Sequence, residues 1–252
     1  EIDIDVAKLN GNSSAFRLSE ARAFLEAMNQ NMAQTVIYGN TATNPERFMG
    51  LAPRFSAISG AANAQNVMSA GGTDTDMTSI WLVVWGPETV FGIYPKGDKS
   101  GLLHTDLGEG DAFDANNNRY RALMDRWQWK CGLHVKDWRY IVRLCNIDTS
   151  DLVGQTGTQA ATASTAIIKK MIQMMARIPF MGMGTPVFYA NRTVKEFLSV
   201  AALDKSNAAV KIVEAANQFG TVAPGYVQKE TQFFGVPVRT VDQILATETQ
   251  IS

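Results

Sequence analysis

The stretch YGNTATNPERFMGLAPRF, residues 38–55, decides how the first part of the chain folds. It follows a run with helical spacing, and Gly39 is a residue type that commonly ends a helix. What comes next is neither a tight turn nor a strand, because polar Asn and Thr residues come first and Gly50-Leu51 then leads to Pro53. We therefore predict that the chain leaves a long helix at Gly39 and reaches the following sheet through a loop.

The residues before this loop predict the helix. Ser19 is a suitable N-cap. Leu25, Met28 and Met32 recur at three- and four-residue steps, which places them on one face. Methionine and leucine at this spacing are more often core packing than a cofactor site. We predict a helix over 19–38, about 28 Å long, whose stripe packs as core onto the strands that follow.

Residues 79–147 predict a block of strands. Short runs of strand composition lie at 79–86, 89–95 and 101–107. In 125–135 apolar and polar residues alternate, which indicates one buried face and one polar face, and we predict that this run forms a hairpin with 138–147. Residues 61–76, ahead of the block, are small and polar. We expect them to be a poorly packed excursion, because little apolar area offsets their ordering entropy.

The second half of the chain has a different character. After Asp151 a linker-like stretch leads into further elements. These are an amphipathic helix that Pro179 ends, a strand over 185–190, a helix capped by Asn191, a helix over 206–219 and a strand over 233–242. The proline inside the last strand indicates an edge position. The layout predicts an α+β fold with a boundary near residue 150.

Composition excludes several classes of protein. With 252 residues and 46% hydrophobic content, the chain can bury a core without disulfides or metals. Its net charge of −1 gives no overall positive field for nucleic acid or an anionic membrane. No apolar run approaches the roughly 20 residues that span a bilayer. Cys131 and Cys145 are too few for a disulfide framework, and we predict free thiols in a reducing cytoplasm.

Motifs that carry catalysis or hold cofactors are absent from the sequence. It has neither a phosphate-binding P-loop nor a nucleophile elbow. His104 and His134 lie 30 residues apart on predicted strands, without a second ligand at helical spacing. GGTDTD, residues 71–76, supplies two carboxylates but lacks the other oxygen ligands of a calcium loop, so a solvated loop is favoured. We predict no catalytic residue, no cofactor and no metal.

The polar face of the predicted 125–147 hairpin is basic. Its members are Arg126, Lys130, His134, Arg139 and Arg143. In the predicted register Lys130 faces Arg143, and like charges across a strand pair are mildly unfavourable. Two interpretations remain open. One is a solvated face, and the other is a subunit-interface or inner-surface face that meets a neighbour's carboxylates or packaged phosphate.

Several stretches together resemble one family. A long helix followed by Gly-x5-Pro-x4-Gly-Leu, residues 39–51, resembles the spine helix and following loop of tailed-phage major capsid proteins of the Hong-Kong-97-type fold. TPVFYANRTVKEFLSVAALDK (185–205) resembles the axial-domain unit of that family, and FFGVPVRTVDQIL (233–245) resembles the strand downstream of it. SIWLVVWGPETVFGIYPKG (79–97), taken with DRWQWKCGLHVKDWRYIVRLCNID (125–148), resembles a short-tailed-phage subfamily.

The resemblance implies an α+β fold with a long spine helix, a peripheral antiparallel sheet and an axial α/β domain. The peripheral domain would be 1–150, comprising the end of the extended loop (1–14), the spine helix (about 19–38) and the strand block (79–147). The axial domain would be 151–252. The strand block precedes the axial block, which implies a permuted topology. Most of the extended loop is expected upstream of this sequence.

The function implied is assembly into pentamers and hexamers of an icosahedral shell enclosing double-stranded DNA. The protein would assemble in the host cytoplasm and reside in the virion capsid, with no membrane partner. It would lie near the packaged DNA without sequence specificity, and scaffolding, portal and decoration proteins are further implied partners. Two other classes remain open, an encapsulin-like compartment shell and a cytoplasmic α+β enzyme whose active site carries no motif.

The resemblance also places one loop at the capsomer axis, where five or six copies converge. The loop consists of Asp204, Lys205, Ser206 and Asn207. Asp204 and Lys205 carry both charge signs, so converging copies would avoid the repulsion of a ring of one sign. The alternative is an ordinary helix–helix turn with Ser206 as N-cap.

The change Lys205→Glu distinguishes these two interpretations. At the axis it would crowd acidic groups around each ring and lower the yield of capsomers, most strongly at low salt, where charges are poorly screened. On a solvated turn it would leave assembly unchanged. Capsomer yield measured by size exclusion at several salt concentrations checks this, and normal assembly at low salt would contradict the axial position.

Overall fold

The computed structural model describes residues 1–9, 11, 13–152, 158–201, 210–215 and 228–252. The fold is mixed α+β with a long N-terminal helix, which confirms the predicted fold class. The helices are α1 Ile4–Lys8, α2 Ser13–Tyr38, α3 Thr158–Arg177 and α4 Arg192–Ala201. The strands are β1 Ile2–Asp3, β2 Val67–Ser69, β3 Met77–Trp85, β4 Val90–Ile93, β5 Leu102–Phe113, β6 Arg119–Trp129, β7 Gly132–Val135, β8 Ile141–Asp148, β9 Thr185–Ala190, β10 Val210–Ala215, β11 Gln228–Phe233 and β12 Val236–Thr240.

Two compact units make up the chain. Unit 1 consists of Glu1–Met32 and Gly92–Gly132, and unit 2 consists of Ala33–Phe91 and Leu133–Ser252. Along the chain, the boundaries between the two units fall within α2, β4 and β7. Among the described helices, none has the length and apolar character needed to cross a membrane.

The long helix α2 starts earlier than predicted and buries less. It has 26 residues and begins at Ser13, because helix-favouring Ala, Arg and Leu residues precede the expected cap at Ser19. The expected core stripe is only partly formed. Leu25, Met28 and Met32 are half-buried, and the Met32 sulfur lies 3.2 Å from the Cys131 thiol. Burial is complete only near the C-terminal end of the helix, where it meets the core of unit 2.

The loop after α2 is closed by contacts between its two glycines. The amide of Gly50 donates to the carbonyl of Gly39 at 2.7 Å, and the amide of Leu51 donates back to the last turn of α2 at 2.9 Å. A Cβ on Gly50 would lie 2.6 Å from the carbonyl oxygen of Thr35. A Cβ on Gly39 would lie 2.3 Å from the carbonyl oxygen of Phe48. The predicted loop is confirmed, and its glycines are required by close backbone approach.

Unit 1 contains a long antiparallel hairpin. β5 and β6 pair along their whole length, and β1 adds a two-residue strand on the other side of β6. A bulge at Leu107, followed by Gly108 at a φ of +73°, interrupts the ladder. The carboxylate of Asp114 accepts backbone amides across the connecting turn. Only Ala112 and Ala122 are buried within the hairpin strands, so most of this surface faces solvent.

The hairpin predicted from 125–135 and 138–147 is wrong. β6 pairs with β5, whereas β8 pairs antiparallel with β3 and parallel with β2. The reason is burial. Residues 141–147 are buried on both faces, so they form an interior strand of a sheet covered on each side. The alternation in β6 belongs to a largely exposed ribbon. Its partner is β5, to which the short turn at 114–118 connects it.

Unit 2 holds a mixed sheet with β3 in its interior. The path of the sheet is β10–β11–β12–β9–β3–β4–β7, and β8 pairs with both β3 and β2. Residues 80–84 are fully buried and alternate between two cores. One core contains α3 and α4, with Met171, Met174, Val194 and Leu198. The other contains the end of α2 and the segment behind it, with Ile37, Leu51 and Phe55. Cover on both faces explains the continuous apolar run of β3.

The structure confirms some predictions for the second half and corrects others. The strand over 185–190 is β9, and the Asn191 side chain caps α4 by accepting the Val194 amide at 2.9 Å. The helix predicted over 206–219 is wrong at 210–215, which form β10, and its other residues lie outside the described part. The edge position of Pro237 is also wrong, because β12 lies between β11 and β9. The pairing with β9 starts at Val238, so no sheet hydrogen bond requires an amide at Pro237.

The segment over 61–76 is better packed than predicted. Residues 67–69 form β2, which pairs parallel with β8. Asn66 is buried, and its amide donates to the carbonyls of Ile141 at 2.8 Å and Arg139 at 3.1 Å. Val67 and Met68 contribute to the two cores. Backbone pairing and the Asn66 side chain therefore hold this segment in place, although its apolar area is small.

A buried ion pair joins the C-terminal segment to the core of unit 2. Nη2 of Arg143 lies 3.0 Å from Oε2 of Glu248, and both side chains are buried. The hydroxyls of Tyr38 and Ser79 donate to the same carboxylate. The guanidinium also donates to the carbonyl of Phe55 at 2.9 Å. Burial, together with the neighbouring carboxylate, raises the pKa of Tyr38.

Replacing Glu248 by Ala should therefore be costly. It leaves Arg143 buried without its counter-charge, which costs about 3–5 kcal/mol of unfolding free energy. Asp242→Ala is the matched control, because Asp242 pairs with Arg192 on the surface, where an ion pair contributes about 0–1 kcal/mol. Equilibrium urea denaturation measures both variants. Equal losses would show that the buried carboxylate has no special role.

Candidate assembly surfaces

Arg17 joins α2 to the hairpin of unit 1. Its Nη2 lies 2.7 Å from Oδ1 of Asp125 and 3.0 Å from Oδ1 of Asp106. Its Nε donates to the other oxygen of Asp125 at 3.0 Å. Nε2 of His104 lies 2.7 Å from the Asp125 carboxylate, and its ring stacks on Trp127 at 4.1 Å between centroids. These groups line a pocket of about 240 Å³.

The pKa values of this cluster follow from its contacts. The hydrogen bonds that Arg17 donates to Asp106 and Asp125 raise its pKa, so it remains a cation. The hydrogen bond from Arg17 lowers the pKa of Asp106. Partial burial acts to raise the pKa of Asp125, but hydrogen bonds from Arg17 and His104 outweigh it, and the net shift is downward. The charges satisfy one another, so the cluster fastens helix to hairpin and is not arranged for proton transfer.

The two thiols are likewise not arranged as nucleophiles. Cys131 is half-buried, Cys145 is buried, and both are free. Burial raises the pKa of each thiol, whereas reactive cysteines have a lowered pKa.

Further ion pairs extend along the hairpin toward its turn. Asp111 accepts Nη1 of Arg121 at 2.9 Å and Nη2 of Arg119 at 2.8 Å, and Glu109 lies 3.7 Å from Arg121. All four side chains are solvent-exposed to a large extent, so each pair adds little stability. Two-stranded ribbons are marginal without packing. This hairpin, which buries only two alanines, therefore has the character of an element that packs against other molecules.

Large apolar side chains are open to solvent in unit 1. Phe24 on α2 is 70% exposed, and Leu107 and Phe113 on β5 are 56% and 58% exposed. In unit 2, Phe180 is 63% exposed beside Met183. Many single exposed apolar residues are ordinary. Phe24, Leu107 and Phe113 lie on a solvent-exposed helix and ribbon. They therefore mark candidate surfaces that become covered in an assembly.

The sequence-predicted basic residues have different environments. In unit 1, Arg126 is exposed and Lys130 pairs with Asp98 at 2.7 Å. In unit 2, His134 is exposed beside the ring of Phe91, and Arg139 forms a two-point pair with Asp137. Arg143 does not belong to a polar face, because it is buried against Glu248. A surface role for the other four stays a prediction.

Two further candidates from the sequence are the loop at 204–207 and the carboxylates at 74 and 76. Asp204, Lys205, Ser206 and Asn207 lie outside the described residues. Asp74 and Asp76 lie near Asp148, with carboxylate oxygens of all three within 4.8 Å of one another. Thr149 and Ser150 donate to the carboxylates of Asp76 and Asp148, so protein groups explain this arrangement.

Sequence reasoning missed Arg17, and the reason is physical. Its partners Asp106 and Asp125 are 89 and 108 residues away. A charged residue early in a helix carries no signal for such contacts. Asp106 lies opposite Asp125 in the ladder, and two facing carboxylates require a cation, but this signal appears only once the pairing of β5 with β6 is known.

A largely exposed helix and ribbon, together with mutually satisfied charges, are typical of a subunit of a larger assembly. The chain belongs to the family described as Major capsid protein GP7, whose model matches residues 1–252. It is accordingly a structural protein of the virion capsid and assembles into the shell rather than catalysing a reaction. No curated protein matches the chain in sequence.

The contact of Arg17 predicts an acid-sensitive unit 1. The lowered pKa of Asp125 means that its contribution is complete above about pH 4, the ordinary aspartate value, and is lost as pH falls through the lower folded-state pKa. Arg17→Gln should therefore cost about 1–3 kcal/mol at pH 7, as expected for hydrogen bonds to a charged group, and progressively less below pH 4.

Tryptophan fluorescence during urea unfolding at pH 7 and at pH 3 measures this difference. Arg121→Gln is the control, since it removes exposed ion pairs from the same hairpin. A cost for Arg17→Gln that is the same at both pH values would contradict the assignment.

Proposed function

We propose that this capsid protein has the Hong-Kong-97-type fold and forms pentamers and hexamers of an icosahedral shell around double-stranded DNA. The resemblance of residues 39–51, 79–97, 125–148 and 185–205 to that fold supports the proposal, as does the family match over residues 1–252. The observation that carries the assembly argument is the largely unburied helix and hairpin of unit 1, since a two-stranded ribbon that buries little apolar area is only marginally stable by itself.

The sequence-based division is kept as part of the proposal. Residues 1–150 would be the peripheral domain and 151–252 the axial domain, with α2 as spine helix in a permuted topology. The interior sheet of unit 2 would then connect the two domains, because β3 pairs with β8 on one side and β9 on the other.

One observation favours a second assignment of the spine helix. In the family that the sequence resembles, the extended loop precedes the spine helix. The long hairpin of β5 and β6 precedes α3, a 20-residue helix, and the axial-like residues follow α3 directly. Taking α3 as spine identifies the hairpin as the extended loop. A reconstruction of the shell distinguishes α2 from α3 by the helix that crosses the length of the subunit.

The proposed partners are other copies of the chain, packaged DNA contacted without sequence specificity, and scaffolding, portal and decoration proteins. A compartment shell of the encapsulin type is the alternative within the same fold. Electron microscopy of expressed protein tests the first point, since pentamers, hexamers or closed particles are expected. Duplex DNA inside native particles would separate a virion from a compartment.

Phe24→Asp tests the role of the exposed helix. Because the side chain is 70% exposed in the subunit, the change should leave subunit stability nearly unchanged but place a charge in a covered interface. The yield of capsomers or shells should fall at least tenfold, roughly the effect of 1.4 kcal/mol on one contact. Asn29→Asp, which adds the same charge at an exposed polar position of α2, should assemble more nearly like the parent chain.

Size exclusion and negative-stain microscopy measure assembly, and circular dichroism confirms folding. Normal shells from Phe24→Asp would remove this part of α2 from the interface. Failure of the unsubstituted chain to form any capsomer or shell would contradict the proposed architecture itself.

A further inference from the structure

Two arginines of unit 2 converge on one pocket. Arg139, which follows β7, and Arg177, the last residue of α3, line a cavity of about 400 Å³ together with Gln65, Asn66 and Pro179. Asp137 pairs with Arg139 but is not among the lining residues. The pair with Asp137 offsets the charge of Arg139, whereas Arg177 pairs with no carboxylate among the described residues.

Both guanidinium groups are held in place and keep unused donors. Nη1 of Arg177 donates to the backbone carbonyls of Gln65 and Val67. Nε and Nη2 of Arg139 donate to the carboxylate of Asp137, with the shortest distance 2.7 Å. Within the described residues, Nη1 of Arg139 and Nη2 of Arg177 make no hydrogen bond. Fixed guanidinium groups with free N–H donors match the oxygens of a phosphate.

The positive charge continues along α3. The sequence of this helix contains Lys169, Lys170 and Arg177 but no Asp or Glu. Lys170 and Arg177 are seven residues apart, which places them on the same face at a separation of about 10 Å. Lys169 is exposed and Lys170 half-buried. Lys170 thus extends the basic surface from the pocket along two turns of the helix, and Lys169 lies about 100° around the helix from Lys170.

We propose that this surface, consisting of Arg139, Arg177, Lys170 and Lys169, binds the phosphodiester backbone of the packaged duplex. The inference rests on the proposed enclosure of DNA. A duplex presents one charge per about 1.7 Å of axis, so a single polyanion engages the whole row. A second copy is the weaker candidate, because the carboxylates of Asp111 and Glu109 on its hairpin already pair with Arg119 and Arg121.

The proposal also agrees with the nearly neutral chain. A net charge of −1 gives no general attraction to DNA, so contact with the genome requires a local patch. Four cations per subunit, repeated over a shell, hold DNA weakly at each point, which permits the duplex to move during packaging.

Binding of a 30-base-pair duplex to purified capsomers tests the proposal. Fluorescence anisotropy is measured between 50 and 200 mM salt for the parent chain and for the triple variant Arg139→Gln, Lys170→Gln, Arg177→Gln. Each lost phosphate contact reduces the salt slope by about one, so the slope should become shallower by about three. Affinity at 50 mM salt should fall at least about tenfold.

The matched control is Lys8→Gln, Lys96→Gln, Lys99→Gln, which removes three exposed cations of unit 1 and changes net charge equally. It should keep nearly the parent slope and affinity. Circular dichroism melts verify that both triple variants remain folded, and the single change Lys169→Gln, at an exposed residue, provides a second test of the slope.

Three outcomes would overturn the inference. Unchanged DNA binding in the triple variant and in Lys169→Gln would exclude this surface, and equal losses in the control would assign binding to net charge alone. Parent capsomers that bind a polyglutamate peptide but not the duplex would indicate a carboxylate-bearing protein as partner. Microscopy of the same preparations separates these results from the proposed function, because normal shells with unaltered DNA affinity contradict only the DNA-binding surface.

Discussion

The buried contact between Arg143 and Glu248 is the constraint on which the order of unit 2 depends. A guanidinium inside a sheet is tolerated only with a counter-charge and with its N–H donors satisfied. The structure meets this demand with groups from distant parts of the chain, namely Glu248 near the C-terminus, Ser79 of β3 and the carbonyl of Phe55. The ring of Trp81 lies 4.8 Å below the guanidinium. A single cation therefore specifies which segments meet.

The same network explains how the end of α2 is fixed. The hydroxyl of Tyr38 contacts Glu248 and accepts the amide of Leu245 at 3.0 Å. One residue later Gly39 turns the chain away, and Gly50 returns it to the same helix end. Helix, loop and C-terminal segment thus converge at one place. The hairpin of unit 1 relies on a different principle, the exposed and partly buried charges around Arg17, and buries far less apolar area.

How much could be read from the sequence differs between these two regions. β3, β9, the cap at Asn191 and the loop at Gly39 have local signatures in periodicity, capping and glycine placement, and they were predicted correctly. The pairing of β6 and β8 was not, because alternation in the exposed ribbon of β6 looks like that of a half-buried strand. Arg143 was assigned to a polar face because its counter-charge lies 105 residues away. The exposure of α2 could not be predicted, because its apolar residues recur at the spacing of a core-facing helix.

The point in the chain at which the hairpin is inserted has a consequence for variation among related proteins. The chain departs for β5 after β4 and returns through β7, and β4 and β7 are neighbours in the sheet. The two ends of the excursion are therefore held side by side by backbone pairing, whatever lies between them. Residues can be added or removed in facing pairs at the turn of Asp114 without changing which side chains share a face. Insertions and deletions can thus lengthen or shorten the hairpin while the strands at its base keep their pairing and their buried side chains.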